Sequence, residues 1–431
     1  FRKYLHRRIN LEQVYTIAQQ ITNMYRNDGY ILSKAVVPPQ KIEAGVVRIN
    51  VIEGFVDRVA IQGQVRGPRK LLSEYRRGIL RSRPLKAKDL ERYLLLVDDL
   101  PGVSVKSVLT PSKDKPGATN MTLILSNKAY EGSVGLDNRG TEFNGPIQIN
   151  AGLSGNAVFK NYERIGLQTV VTSNTDELQF FSGFYEQPIS SEGSKLFFSA
   201  SVSDSKPGDV LEEFEVVGES KTFALKITHP FIRSRAENLT GTLGFTHRNS
   251  TTDILGTLDS EDRLRVVNLG LSYDFVDEYR GVNLMSFNLS KGLDILNSTE
   301  TGSENLTRET GHSDFTKLTG QMLRLQQLAP SWMLLGAFSW QYSFEKLLSS
   351  EEFGVGGGQF GRAYDPSEIT GDQGVAFKLE LQKAFQPKKK YLRDVQAYTF
   401  FDYGAVWNRI PTSTGSTVQD LNSLGVGARF N

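Results

Sequence analysis

The chain has 431 residues, and 50 Lys and Arg against 48 Asp and Glu leave a net charge of only +2, which excludes a global electrostatic pull toward nucleic acid or an acidic polymer. Cysteine is absent, so disulfides, thiolate metal sites and a cysteine nucleophile are excluded, as suits an oxidising compartment such as a bacterial envelope. The best apolar runs, such as "WMLLGAF" at Trp332–Phe338, fall far short of the roughly 18 residues a membrane helix needs.

The chain opens at Phe1 and passes almost directly into a helical pattern, which predicts a processed or trimmed N-terminus. Leu11, Val14, Ile17, Ala18, Ile21, Met24 and Tyr25 fall on one helical face, with Asn10 as N-cap and Gly29 as C′ stop. Two short strand-like runs follow, "ILSKAVVPPQ" and "GVVRINVIEG". The order then recurs: a strand at Val56–Gln62, helices around Arg69–Leu80 and Lys86–Leu100, then the strands "GVSVKSVLTP" and "NMTLILSN". Residues 1 to about 129 therefore read as two tandem α+β modules, the first without an opening strand.

From about Glu131 the helical period gives way to alternation. Ile147, Ile149, Ala151 and Leu153 interleave with Gln148, Asn150, Gly152 and Ser154, and Leu196, Phe198, Ala200 and Val202 with Phe197, Ser199, Ser201 and Ser203. The same holds for Val267–Phe275 and for Val375, Phe377, Leu379 and Leu381 against Ala376, Lys378, Glu380 and Gln382. About fourteen such segments of about ten residues each match tilted strands that cross a bilayer, separated by alternately shorter and longer polar connections. Aromatic residues flank them, among them Phe180, Phe181, Phe184, Tyr185, Trp332, Trp340, Tyr342, Tyr398, Tyr403 and Trp407, in the manner of interfacial girdles. Lipid satisfies no backbone group, so such a sheet must close into a barrel. The predicted fold is mainly β: a transmembrane antiparallel barrel preceded by two small α+β modules.

The tandem modules, "VIEG" at Val51–Gly54, "DLPGVSV" at Asp99–Val105, "GLDNRG" at Gly135–Gly140 and the late glycine-rich stretch "GVGGGQFGRAYDPSEITGDQG" carry a family resemblance in their order along the chain. The chain resembles the two-partner secretion transporters of the bacterial outer membrane, the TpsB or ShlB/FhaC/HecB type of haemolysin secretion/activation protein. The resemblance implies POTRA domains at 1–54 and 55–129 in the periplasm and a barrel at 130–431. That family's barrel has sixteen strands, so it further implies that the first POTRA strand and the last two barrel strands lie beyond Phe1 and Asn431.

In that family the loop between the eleventh and twelfth strands folds into the lumen and carries a Val-Arg-Gly-Phe/Tyr tip. The matching residues are Gly361, Arg362, Ala363 and Tyr364, followed by Asp365 and, on the return, Gly371 and Asp372; the arginine and aromatic are kept and two positions depart. The family's tip arginine pairs with the aspartate of a Phe-x-Asp motif, here Phe400 and Asp402, and alternation puts Phe400, Asp402 and Gly404 on the polar face of their strand. A guanidinium–carboxylate fork there would hold the loop directionally, and the glycines would give it a flexible approach.

Gly356, Gly358 and Gly361 also spell G-x-G-x-x-G, but Asp365-Pro366 and then a strand follow where a dinucleotide site needs a helix. His6, His229, His247 and His312 show no ligand spacing, and "LEEFE" and "DSEDR" read as solvated runs. No catalytic residue, metal, nucleotide or nucleic acid is predicted. The implied partners are outer-membrane lipid and a secreted TpsA-type exoprotein, captured unfolded by the POTRA modules and conducted through the barrel. An outer-membrane assembly factor of the same superfamily is the alternative, and a diffusion porin is a third reading.

Overall fold

Asn10 begins helix α1 (Leu11–Asn27) by a reciprocal capping box: its side chain accepts from the Gln13 amide, and the Gln13 side chain accepts from the Asn10 amide. The structure is a computed structural model that describes residues 4, 7–43, 45–387, 392, 394–409 and 418–430; Phe1, His6 and Asn431 lie outside the described residues. Gly29 follows the helix at φ +87°, the left-handed stop expected of it. The short strands β1 (Lys34–Val36) and β2 (Asn50–Ile52) then pair antiparallel.

The second unit is built from β3 (Phe55–Gln62), α2 (Arg69–Arg81), α3 (Ala87–Asp98), β4 (Val103–Pro111) and β5 (Ala118–Asn127). β5 lies in the middle of the sheet, parallel to β3 and antiparallel to β4. Val56, Val59, Met121, Leu123 and Leu125 from the sheet bury against Leu72, Tyr75, Ile79, Leu90 and Leu96 from the helices. One apolar stripe per helix and one face per sheet make a two-layer module.

The remainder is one antiparallel sheet with an insertion. Its first strands are β6 (Tyr130–Asp137), β7 (Gln148–Asn156), β8 (Arg164–Thr172), β9 (Leu178–Pro188), β10 (Lys195–Ser205), β11 (Val217–Arg233) and β12 (Glu237–Ile254). Then come β13 (Thr257–Val276), β14 (Val282–Gly292), β15 (Thr316–Ala329) and β16 (Trp332–Ser343). A small hairpin, β17 (Phe353–Val355) with β18 (Ile369–Gly371), precedes β19 (Gln373–Phe385), β20 (Val395–Trp407) and β21 (Val418–Phe430). Fourteen strands share the sheet in chain order, β16 pairing with β19 across the hairpin, and among the described residues β6 and β21 are not bonded to each other.

This wall is apolar outside and polar inside, the reverse of a soluble domain. Ile149, Leu153, Leu167, Leu269, Leu271 and Leu379 are exposed, while Gln341, Glu380, Gln382 and Asp402 are buried. Not every aromatic faces lipid. Strand pleating puts Phe184 inward, stacked on Phe197 at 6.0 Å, with Phe180 on the same face of β9, and Tyr398 inward beneath Arg429, so these three leave the expected girdles. Strand length departs from the ten-residue expectation as well: β12 and β13 run 18 and 20 residues. The two-residue turn at Leu255 and Gly256, with φ of 52° and 72°, continues the pairing well past the span of a bilayer.

Candidate functional site: the lumen loop and its anchors

Between β16 and β19 the chain folds back against the inner wall as the β17–β18 hairpin. Val355, Phe353, Phe360 and Ile369 pack on Ala376, Val406 and Leu421, giving the loop a small apolar core of its own. Gly404 makes that approach possible, since a Cβ there would lie 2.3 Å from Val355 Cγ1. The expected flexible approach is instead a folded hairpin. At its tip the Gly356 amide bonds the Phe360 carbonyl at 2.8 Å, and the Gly357 amide bonds that of Tyr364 at 3.0 Å.

The G-x-G-x-x-G spacing is spent on this turn. Gly361 has φ +94°, which favours glycine, whereas Ala363 keeps ordinary negative φ, so the special backbone position precedes the arginine. That conformation aims the amides of Gly361 and Arg362 at one carboxylate oxygen, Asp402 Oδ2, each at 3.2 Å.

The Arg362 side chain completes the contact. Nη2 donates to Asp402 Oδ1 at 2.8 Å and Nε to Oδ2 at 2.9 Å, a two-point fork on a carboxylate with no solvent exposure. Nη1 donates to Glu380, a second buried carboxylate that the sequence reading left among the polar-face residues of β19. The guanidinium also lies 3.6 Å over the Phe400 ring, which assigns Phe400 the cation–π floor of the site. Charge-assisted bonds of this kind each contribute about 1.5–3 kcal/mol.

Glu380 is shared. Its other oxygen accepts from Arg429 Nη1 at 2.7 Å and from Gln382 Nε2 at 2.8 Å, and Arg429 lies 4.0 Å over Tyr398. Two guanidiniums and two carboxylates thus balance on the lumen wall. Beside them a cavity of about 1000 Å³ is lined by Arg139, Lys378, Gln396 and the loop tip, Tyr364 and Asp365 included. Arg139 belongs to the "GLDNRG" stretch, which this fold brings to the loop from the first hairpin.

Asp372 stands apart from this cluster. Buried at the hairpin's return beside Gly371, it accepts from Arg308 Nη1 at 2.6 Å, the Leu347 amide at 2.8 Å and the Arg409 amide at 2.9 Å. Arg308 also pairs with Glu352 at 2.9 Å. Sequence reading missed Arg308 and Arg429, because nothing local marks a partner so distant in the chain. Around this point Leu264, Val266, Phe315, Leu347 and Leu348 form a second buried cluster at the end of the barrel opposite the α+β units. No metal-holding group of His, Asp or Glu occurs among the described residues, and the glycine-rich tip leads into β18 rather than a helix.

Comparison with known proteins places this architecture. Residues 124–430 match the family described as haemolysin secretion/activation protein ShlB/FhaC/HecB, and residues 1–54 match a POTRA domain of ShlB type. The heme/hemopexin transporter protein HuxB of Haemophilus influenzae (strain 86-028NP) is 24% identical over 440 residues, which cover 100% of this chain and 77% of that protein. The outer membrane transporter CdiB of Dickeya dadantii (strain 3937) is 24% identical, over 88% of this chain and 67% of CdiB. Among solved structures, CdiB from Escherichia coli shares the fold with a TM-score of 0.80 at 20% identity, covering 98% of this chain and 78% of that one. BamA from Haemophilus ducreyi lacking POTRA domains 1–3 reaches 0.57 at 14% identity, with coverages of 98% and 88%. The chain belongs to the ShlB/FhaC/HecB family: it is an outer-membrane transporter of the two-partner secretion class, a β-barrel with its POTRA region in the periplasm.

Proposed function

We propose that the chain carries one unfolded, TpsA-type exoprotein from the periplasm through the barrel, with residues 1–54 and 55–129 as two POTRA units and 130–431 as the conduit. The units capture the substrate by strand addition. β4 is an open edge of its sheet among the described residues, and Val108 and Leu109 on it are exposed. The outer wall meets outer-membrane lipid, and transport proceeds without nucleotide or a catalytic residue, drawing on folding of the substrate outside.

The observation that carries the reading is the Arg362 fork on Asp402 and Glu380. It holds a folded hairpin inside the lumen through a few charge-assisted bonds, strong enough to set a resting position and few enough to be exchanged as a polypeptide passes. Assembly of other barrels is the second reading, and the closer structural likeness to CdiB than to BamA favours transport. The test co-expresses the chain with a large TpsA-type exoprotein and compares wild type with Arg362→Ala. Reduced secretion with normal barrel insertion is expected. Undiminished secretion removes Arg362 from the mechanism.

A further inference from the structure

The second α+β unit meets the barrel through far more than its covalent link at Lys128 and Ala129. Asp99, in the turn after α3, receives a two-point fork from Arg233 at the end of β11: Nε to Oδ2 at 2.7 Å and Nη2 to Oδ1 at 2.6 Å. Arg233 is aimed by Asn238, which accepts from its Nη1 at 3.0 Å and itself donates to Asp274 at 2.7 Å. Two further charged contacts run from α3. Arg92 reaches Glu192 at 3.3 Å, and Glu91 accepts from the Arg235 amide at 3.2 Å.

An apolar contact adds to these. Tyr162, from the turn before β8, is fully buried in the core of the second unit, and its ring lies so close to Gly67 that a Cβ there would stand 2.3 Å from Tyr162 Cζ. Tyr162 precedes β8, Glu192 precedes β10, and Arg233 and Arg235 precede β12. These are every second connection of an antiparallel sheet, so all three turns belong to one rim.

We infer that these contacts form a clamp that holds the second periplasmic unit in one orientation on the barrel rim, with Asp99 and Arg233 as positioning residues for substrate hand-over. The aspartate of the "DLPGVSV" stretch is the unit's half of that clamp. The edge strand β4, which starts at Val103 just after Asp99, is then held at a set place relative to the lumen. The hand-over role rests on the translocation reading; the docked geometry does not.

The chain has no cysteine, so paired spin labels can be introduced without background. The exposed Lys70→Cys on α2 and Glu278→Cys in the turn after β13 report the distance between unit and rim in the full chain in lipid. A single narrow distance distribution is expected for the parent. Asp99→Arg should broaden it and lower secretion about tenfold, and adding Arg233→Asp should restore both, with barrel insertion followed by heat-modifiable gel migration throughout. A distribution unchanged by Asp99→Arg overturns the clamp, and broadening with secretion intact overturns its positioning role. A parent that keeps the narrow distribution and secretes no exoprotein overturns the translocation reading and retains the docked geometry.

Discussion

Arg362 and Asp402, 40 residues apart in the chain, are joined by three hydrogen bonds, two from the guanidinium and one from the Arg362 amide, and the amide of Gly361 adds a fourth to the same carboxylate. The carboxylate thus reads the side chain and the backbone turn together. A loop displaced by even one residue loses the amides as well as the fork.

Arg362→Lys keeps the charge and cannot make the fork, so secretion should fall nearly as far as in Arg362→Ala. In the alanine variant Asp402 is left buried without its cation, while Glu380 keeps Arg429, and the loss costs the resting loop position about 3–5 kcal/mol. Hydrogen exchange across Phe353–Gly371 should rise in both variants. Protection unchanged in the lysine variant would show that charge alone holds the loop.

Gly404→Ala places a methyl where Val355 already sits, and the backbone of β20 cannot yield without breaking its pairing with β19 and β21. The hairpin should be pushed off the wall at a cost of about 1–3 kcal/mol. Trypsin cleavage at Arg362 should appear while the barrel remains heat-modifiable.

Asp372→Asn replaces an acceptor-only group by one that presents a donor to Arg308 or to the Leu347 and Arg409 amides. Residues 293–315, the segment bearing Arg308, should become protease-sensitive with little change in hydrogen exchange at Gly361 and Arg362. If both regions loosen together, the two anchors are one cooperative unit.

Asp277, in the turn between β13 and β14, is held at about 2 chiefly by its hydrogen bond from Arg324, helped by the Gly281 amide. A depressed carboxyl contributes stability that is present above its unfolded value of about 3.9 and lost as pH falls toward the folded value. The Asp277 carboxyl resonance should therefore titrate at about 2 in the parent. In Arg324→Gln it should move up toward the unfolded value.

Leu153 stands on the outer face of β7 with 62% of its surface exposed. Leu153→Arg should destabilise the inserted barrel by about 2–4 kcal/mol if it lies near mid-bilayer. Unfolding from lipid vesicles in denaturant measures it, and a neutral outcome would place this face away from lipid.

Much of the wall is legible in the sequence because a strand's two faces alternate with a period of two, a local property that packing does not alter. Leu269, Leu271 and Leu379 fall on apolar faces by that alternation and are exposed, and Glu380 and Gln382 fall on the polar face of β19 and are buried. The helices are equally local: α2 and α3 lie within two residues of the expected spans. Aromatic girdles are less legible. Residue type alone misleads: Phe184 lies mid-strand on the inward face of β9, and Tyr398 shares the inward face of Phe400 and Asp402 on β20.

Sequence alone settled the alternating barrel strands, the α+β order before them, and Arg362 with Asp402 as members of one resemblance. Tertiary structure decided what those residues meet. Glu380 and Arg429 join the anchor because the pairings of β19 with β20 and of β20 with β21 bring their inward positions side by side. Asp372 meets Arg308 across 64 residues, and Asp99 meets Arg233 across 134, through contacts that no local pattern encodes. Periodicity is written in neighbouring residues, whereas a fork between distant charges exists only once register and docking have set two side chains a few ångströms apart.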